Sequence, residues 1–148
     1  GMPGHLVPEH LARKKAAAIE QHAHEAIIIA ADTVVLLDDE ILGKPTDEAH
    51  AIGILTKLSG RMHQVVTGVC MQKGSHQKCF SVTTEVYFRP LTTEQIKHYV
   101  SHYKPFDKAG AYAIQEWIGM VGIEKINGDY YNVMGLPIGE VVKNLLLM

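Results

Sequence analysis

Asp32, Thr33 and Lys44 are the residues whose types and spacing suit work on a phosphate. Asp32 interrupts an apolar run, Ile29-Ala-Ala-Asp-Thr-Val-Val-Leu-Leu37, and the chain turns at Asp38-Asp39-Glu40 before Leu42-Gly-Lys-Pro45 delivers a single lysine. Burying an unpaired carboxylate is costly. Asp32 therefore either caps the polar end of its strand with a hydrogen-bonding partner or opens onto a cleft as a metal ligand or general base. Gly43 permits close backbone approach and Pro45 fixes the exit, so the Lys44 ammonium is held by a stiff turn; a solvated turn lysine is the alternative. Lys14 and Lys15 lie together near the apolar side of a predicted first helix, one snorkelling to solvent and the other able to face the same cleft. Gln115, just ahead of Glu116 and the single tryptophan, both donates and accepts, which suits the edge of a pyrimidine base or an exposed surface.

Other chemistries find less support. The nine histidines are scattered, and the close pair His22-x-His24 has no Glu or Cys partner at zinc-site spacing. Neither a P-loop nor a GxGxxG or GxSxG motif is present, and Gly119-Met-Val-Gly122 reads as a packing glycine pair.

The elements that must position these groups follow from periodicity. Residues 9–24 read as a helix, with Leu11, Lys15, Ala18 and Ile19 at helical spacing. Ala26 to Leu37 reads as a strand too continuously apolar to be half exposed, with Asp32 at its polar end. Thr46 is the expected N-cap of a helix whose inner face is Ile52, Leu55 and Leu58 and which stops at Ser59-Gly60. Strands His63–Met71 and Lys78–Phe88 flank a hairpin loop at 72–75, with Val82, Thr84, Val86 and Phe88 on the drier face of the second. Thr92 caps a third helix, a strand is expected around Gly119 to Ile126, and a last helix spans Ile138 to Leu147. Helices and strands mix without strict alternation, which predicts a single mixed-sheet α/β or α+β domain.

Composition narrows the partners. The 148 residues carry a formal charge of −2, with 20% charged and 47% hydrophobic residues. Nothing there supplies the basic field that tracks a nucleic-acid polymer, while a small anionic ligand needs only a few local cations. The longest apolar run is too short to span a bilayer, so no membrane partner is expected. Cys70 and Cys79, nine positions apart with no CxxC, could be brought close by two facing strands, but they read first as reduced core thiols of a cytosolic protein. Gly1 ahead of Met2 reads as a tag-cleavage scar.

Taken together, an ordered series of segments resembles the Maf family of nucleoside-triphosphate pyrophosphatases. The segments are Lys15-Ala16, Ala31-Asp-Thr-Val-Val35, Leu42-Gly-Lys-Pro45 and Leu58-Ser-Gly-Arg-x-His-x-Val-x-Thr-Gly-Val69. Asp107-Lys-Ala-Gly-Ala-Tyr-x-Ile-Gln115 and Ile126-x-Gly-Asp-Tyr-x-Asn-Val-x-Gly-Leu-Pro137 complete the series. The resemblance implies a mixed α/β fold like that of inosine-triphosphate pyrophosphatases, with a cleft between two lobes. It implies cleavage of a nucleoside triphosphate between the α and β phosphates, with Mg²⁺ or Mn²⁺, in the cytoplasm. The acid matching Asp32 would be the proton acceptor and a metal ligand, and the lysines matching Lys15 and Lys44 would line the phosphate site. Thr33 and Gln115 match residues associated with substrate choice, and the Asp-Thr pair points to the dTTP/UTP branch. Gln115-Glu-Trp-Ile118 departs from the family's commoner Gln-Gly.

Family members also begin with a strand, a Ser-x-Ser-Pro-Arg-Arg loop and an acid-bearing strand, which this sequence does not contain. The expectation is thus an N-terminally short member of the family. The alternative is a catalytically impaired nucleotide-binding or interaction protein that retains the fold. An uncovered sheet edge in such a chain admits pairing with a second copy as a homodimer.

Overall fold

The computed structural model describes residues 2–20 and 26–148. A first helix, α1 (Val7–Glu20), leads into strand β1 (Ile27–Leu37), which turns into β2 (Glu40–Leu42). Helix α2 (Glu48–Leu58) follows, then the long hairpin of β3 (Met62–Lys73) and β4 (His76–Phe88). Helix α3 (Thr93–Tyr103), a short helix α4 (Trp117–Gly122), strand β5 (Ile123–Asn127), and helices α5 (Tyr130–Met134) and α6 (Ile138–Leu145) complete the chain. The five strands form one sheet in the order β2-β1-β3-β4-β5. Every neighbouring pair runs antiparallel, so the expected mixture of helix and strand takes an α+β form.

Alternation along the strands divides the sheet into two faces. Val35, Leu37, Val65, Val86 and Phe88 lie on one, packed with Ile54, Leu55 and Leu58 of α2 and Ile96, Tyr99 and Val100 of α3. The same face carries a second cluster towards the other end of the sheet, where Val69 and Met71 meet Val141 of α6. Polar residues separate the two clusters. Thr33 and Thr67 share a hydrogen bond of 2.8 Å, and the amide of buried Asn132 donates to the Val65 and Val82 carbonyls and to Thr84 Oγ1.

The opposite face belongs to α1. Ala12 and Ala16 are its buried positions, set against Ile28, Ala30 and Cys70. This corrects the inner face expected from Leu11, Lys15, Ala18 and Ile19: Leu11 and Ile19 are exposed. The reason is proximity. A Cβ on Gly68 of β3 would lie 2.0 Å from the Glu9 backbone nitrogen, so the helix rides almost on the strand backbone and only alanine fits between. The expected last turn of this helix, residues 21–24, and the pair His22 and His24 lie outside the described residues.

Other boundaries also shift. β1 is not buried throughout, because Ile27 and Ile29 are 39% and 42% exposed. Asp32 sits within the strand rather than at its end, paired across to Gly68. The α2 N-cap is Asp47, whose carboxylate accepts from His50 N–H at 2.8 Å, rather than Thr46. The hairpin reaches further than predicted, Lys73 pairing with His76 around a tight Gly74-Ser75 turn. Glycine-containing residues 117–122 form α4 instead of a strand, since Gly119 packs directly on the Ile114 carbonyl. The last helix closes at Leu145 rather than Leu147.

Cys70 and Cys79 face each other directly across β3 and β4, with Cα atoms 4.1 Å apart, and form a disulfide. The expected reduced thiols are thereby corrected: register puts the two side chains in the close cross-strand position that a short bridge requires.

Candidate functional site

A cleft of about 330 Å³ opens beside β1 and gathers side chains from distant parts of the chain. Its lining includes Asp32, Thr33, Lys44, Lys108, Tyr112 and Gln115. Strand alternation sends Asp32 towards the α1 face and Thr33 towards the other, yet both reach one cleft. Sheet pairing explains this. β2 pairs with β1 only at Val35, Leu36 and Leu37, so among the described residues the edge of β1 at Asp32 and Thr33 is open. A cleft that wraps a strand edge touches both faces. The edge of the strand, not its end, therefore brings Asp32 to the surface, and its side chain is 23% exposed.

Lys15 comes to Asp32 from α1. Its ammonium donates to Asp32 Oδ1 at 2.9 Å and to the Ala31 carbonyl at 3.1 Å. The close seat of α1 over Gly68, the residue paired with Asp32, sets this distance. Lys14 is exposed, so Lys15 is the member of the pair that turns to the site.

Lys44 is exposed at the cleft wall and makes no ion pair among the described residues. Its turn is stiff, though not for the expected reason. Nothing lies within 4 Å of a Cβ on Gly43, so close approach does not require that glycine. Instead the Gly43 carbonyl accepts from the Gly110 N–H at 3.2 Å, tying the lysine turn to the loop that carries Lys108. Gly110 itself needs its positive φ of 71°, and a Cβ there would meet Val35 at 2.8 Å. Pro45 is buried behind the lysine.

The Thr33 hydroxyl lies 3.4 Å from the Gly135 carbonyl in addition to its contact with Thr67, so it is held from two sides. Gln115 is exposed at the mouth, where the cleft meets a second, more apolar pocket lined by Ile114, Met120, Ile123 and Tyr130. Behind the cleft, His63 and Tyr112 share a 2.6 Å hydrogen bond, and burial pushes His63 down to about 4. The ring is therefore neutral and acts as a fixed support for Tyr112.

Of the five candidate site residues, Asp32, Thr33, Lys44 and Gln115 line the cleft, and Lys15 reaches it through its ion pair with Asp32. Lys108, Asp107 and Tyr112 were missed as site residues. Their signal was the glycine-punctuated Asp107-Lys-Ala-Gly-Ala-Tyr112 stretch, whose left-handed Gly110 and Ala111 mark a backbone held for a purpose.

Among the described residues no three His, Cys, Asp or Glu side chains cluster as a complete metal cage. The cleft does offer two carboxylates, Asp32 and Asp107, and a cation such as Mg²⁺ commonly takes one or two carboxylates plus phosphate oxygens. No helix among the described residues is long and apolar enough to cross a membrane.

Comparison with known proteins gives a consistent result. A family profile described as Maf-like protein matches residues 2–147. A dTTP/UTP pyrophosphatase of Bacteroides fragilis is 48% identical over 145 residues, covering 97% of this chain and 75% of the relative. Proteins of the same description from Phocaeicola vulgatus and Cytophaga hutchinsonii are 49% and 47% identical, over 94% of this chain in both cases. The chain spans 72% and 64% of the length of these two relatives.

Proposed function

The chain belongs to the Maf-like protein family, and from that premise we propose that it hydrolyses dTTP or UTP to the nucleoside monophosphate and pyrophosphate. The convergence of Asp32, Lys44, Thr33 and Gln115 on one cleft, with Lys15 paired to Asp32, is the observation that carries this reading. The names of the relatives, dTTP/UTP pyrophosphatase, supply the substrate class.

Within that reading each group has a task that its chemistry suits. Asp32 takes the proton of the attacking water as general base. Lys15 holds the Asp32 carboxylate in one orientation through an ion pair and leaves its second oxygen available to the water. The new bond joins the water oxygen to the α-phosphorus. The bond to the α–β bridging oxygen breaks, and its electron pair leaves with pyrophosphate. The ammonium groups of Lys44 and Lys108 offset the charge that builds on the leaving group. Thr33 and Gln115 contact the nucleoside, the Gln115 amide being able to donate and accept along a pyrimidine edge. A divalent cation, Mg²⁺ or Mn²⁺, held by Asp32 and Asp107 with phosphate oxygens, would add Lewis-acid polarisation of the phosphoryl group.

Pyrophosphate release from dTTP, UTP, CTP, GTP and 7-methyl-GTP with Mg²⁺ or Mn²⁺ tests the proposal. Turnover of dTTP and UTP well above that of CTP, GTP and 7-methyl-GTP, and lost in Asp32→Asn, supports it. Silence across the panel overturns it.

A further inference from the structure

Gln115 stands at the centre of a turn whose two ends are fastened to one buried phenol. Tyr99 of α3 is fully buried, and its hydroxyl accepts from the Ala113 N–H at 3.1 Å while donating to Glu116 Oε1 at 2.5 Å. The turn is closed by the Glu116 N–H, which donates to the Ala113 carbonyl at 3.1 Å. Ile114 and Gln115 are its two central residues. One is buried in the core and the other faces the cleft mouth.

Two further contacts hold this turn against α3 and α4. His98, the residue before Tyr99, packs edge-on against Trp117 with ring centres 4.9 Å apart. Gly119 donates to the Glu116 carbonyl at 2.9 Å, and a Cβ at position 119 would lie 1.8 Å from the Ile114 carbonyl. Burial and the Glu116 carboxylate both push the Tyr99 phenol upward, so it remains a donor across the neutral range. The turn cannot rotate without releasing the phenol.

We propose that Tyr99 and Glu116 are positioning residues that fix Gln115 at the cleft mouth and thereby set which pyrimidine base the site accepts. This rests on the nucleotide-hydrolase reading above and extends it to residues that never touch substrate. An exposed glutamine on a free turn would sample many orientations, and its hydrogen bonds to a base would have to overcome that lost freedom. A clamped turn removes the backbone share of that cost. It also fixes the point from which the amide reaches a base, which favours a base whose edge lies within that reach.

The test is a steady-state comparison of wild type, Tyr99→Phe and Glu116→Gln on dTTP, UTP and CTP, with melting temperatures measured alongside. Tyr99→Phe keeps the ring and removes both hydrogen bonds. It should raise KM for dTTP and UTP roughly three- to tenfold, the size expected for loss of a hydrogen-bonded alignment, with kcat within about twofold. CTP turnover should change little, so the base preference narrows. Glu116→Gln keeps an acceptor for the phenol and should behave as wild type. An unchanged dTTP-to-CTP ratio in Tyr99→Phe overturns the inference while leaving the hydrolase reading intact. An equal loss on all three nucleotides that tracks a lowered melting temperature also overturns it, as a structural effect only. Should Tyr99→Phe fail to fold, Glu116→Ala removes the acceptor from a half-buried position and must narrow the same ratio. A wild-type protein silent on every nucleotide would overturn the hydrolase reading, and this inference with it.

Discussion

Lys15 Nζ lies 2.9 Å from Asp32 Oδ1, across the junction of helix α1 and the open edge of β1. The lysine side chain is half exposed, so the pair contributes little to stability; its consequence is orientation. The carboxylate is aimed from a helix that is itself seated on the sheet through Gly68, directly opposite Asp32. Site geometry and core packing are therefore one arrangement.

Asp32→Asn tests the role of the carboxylate. The swap is nearly isosteric and removes an exposed ion pair, so thermal stability should fall by less than about 1 kcal/mol. Turnover should drop about 100-fold or more, as for loss of a general base. A variant that retains more than about a tenth of wild-type pyrophosphate release would remove Asp32 from the catalytic step.

Lys44→Ala should leave the fold untouched, because the lysine is exposed and its turn is held through the Gly43 carbonyl. Binding of a triphosphate with a non-hydrolysable α–β bridge should weaken by roughly 1–3 kcal/mol, the range for a lost charge-assisted contact. Calorimetry that finds equal affinities in the two proteins would leave Lys44 as a turn residue only.

Gly68→Ala places a methyl group where the backbone of Glu9 and Pro8 already sits. Relief requires α1 to lift from β3, with an overpacking cost of about 1–3 kcal/mol in urea unfolding. Lifting α1 also carries Lys15 away from Asp32, so activity should decline beyond what stability explains. Wild-type stability in this variant would show that the helix seat is not tight.

His63 makes stability depend on pH with a definite sign. Burial lowers its folded value to about 4 from 6.5, so between these values the unfolded chain binds a proton that the folded chain does not. The stabilisation is complete above pH 6.5 and is lost as pH falls towards 4, up to about 3 kcal/mol in all. His63→Gln cannot titrate and still faces Tyr112. Its unfolding free energy should be flatter than wild type's over that window, and equal slopes would refute the assignment.

Much of this protein could be read from one sequence, and the reasons are local. The Ile and Val run of β1, the Thr92 capping box and the Pro45 exit each specify their element through neighbours a few residues away. Asp32 and Lys44 stood out as candidates for the same reason, a carboxylate in an apolar strand and a lysine in a Gly-Pro turn, whereas Gln115 read equally well as a surface residue. What the sequence left undecided was pairing across space. Helical spacing pointed to Leu11 and Ile19 as the buried face of α1, but Ala12 and Ala16 take it because the facing strand carries a glycine more than fifty positions later. The disulfide depends on a register that seats Cys70 opposite Cys79. The open edge at Asp32 exists because β2 stops pairing at Val35, and the clamp on Gln115 exists because α3 buries Tyr99 beneath it. Residue types and short-range spacing marked which groups are candidates for chemistry. Only the tertiary structure decided which of them meet, since register and helix seating are set by contacts between segments that no local pattern encodes.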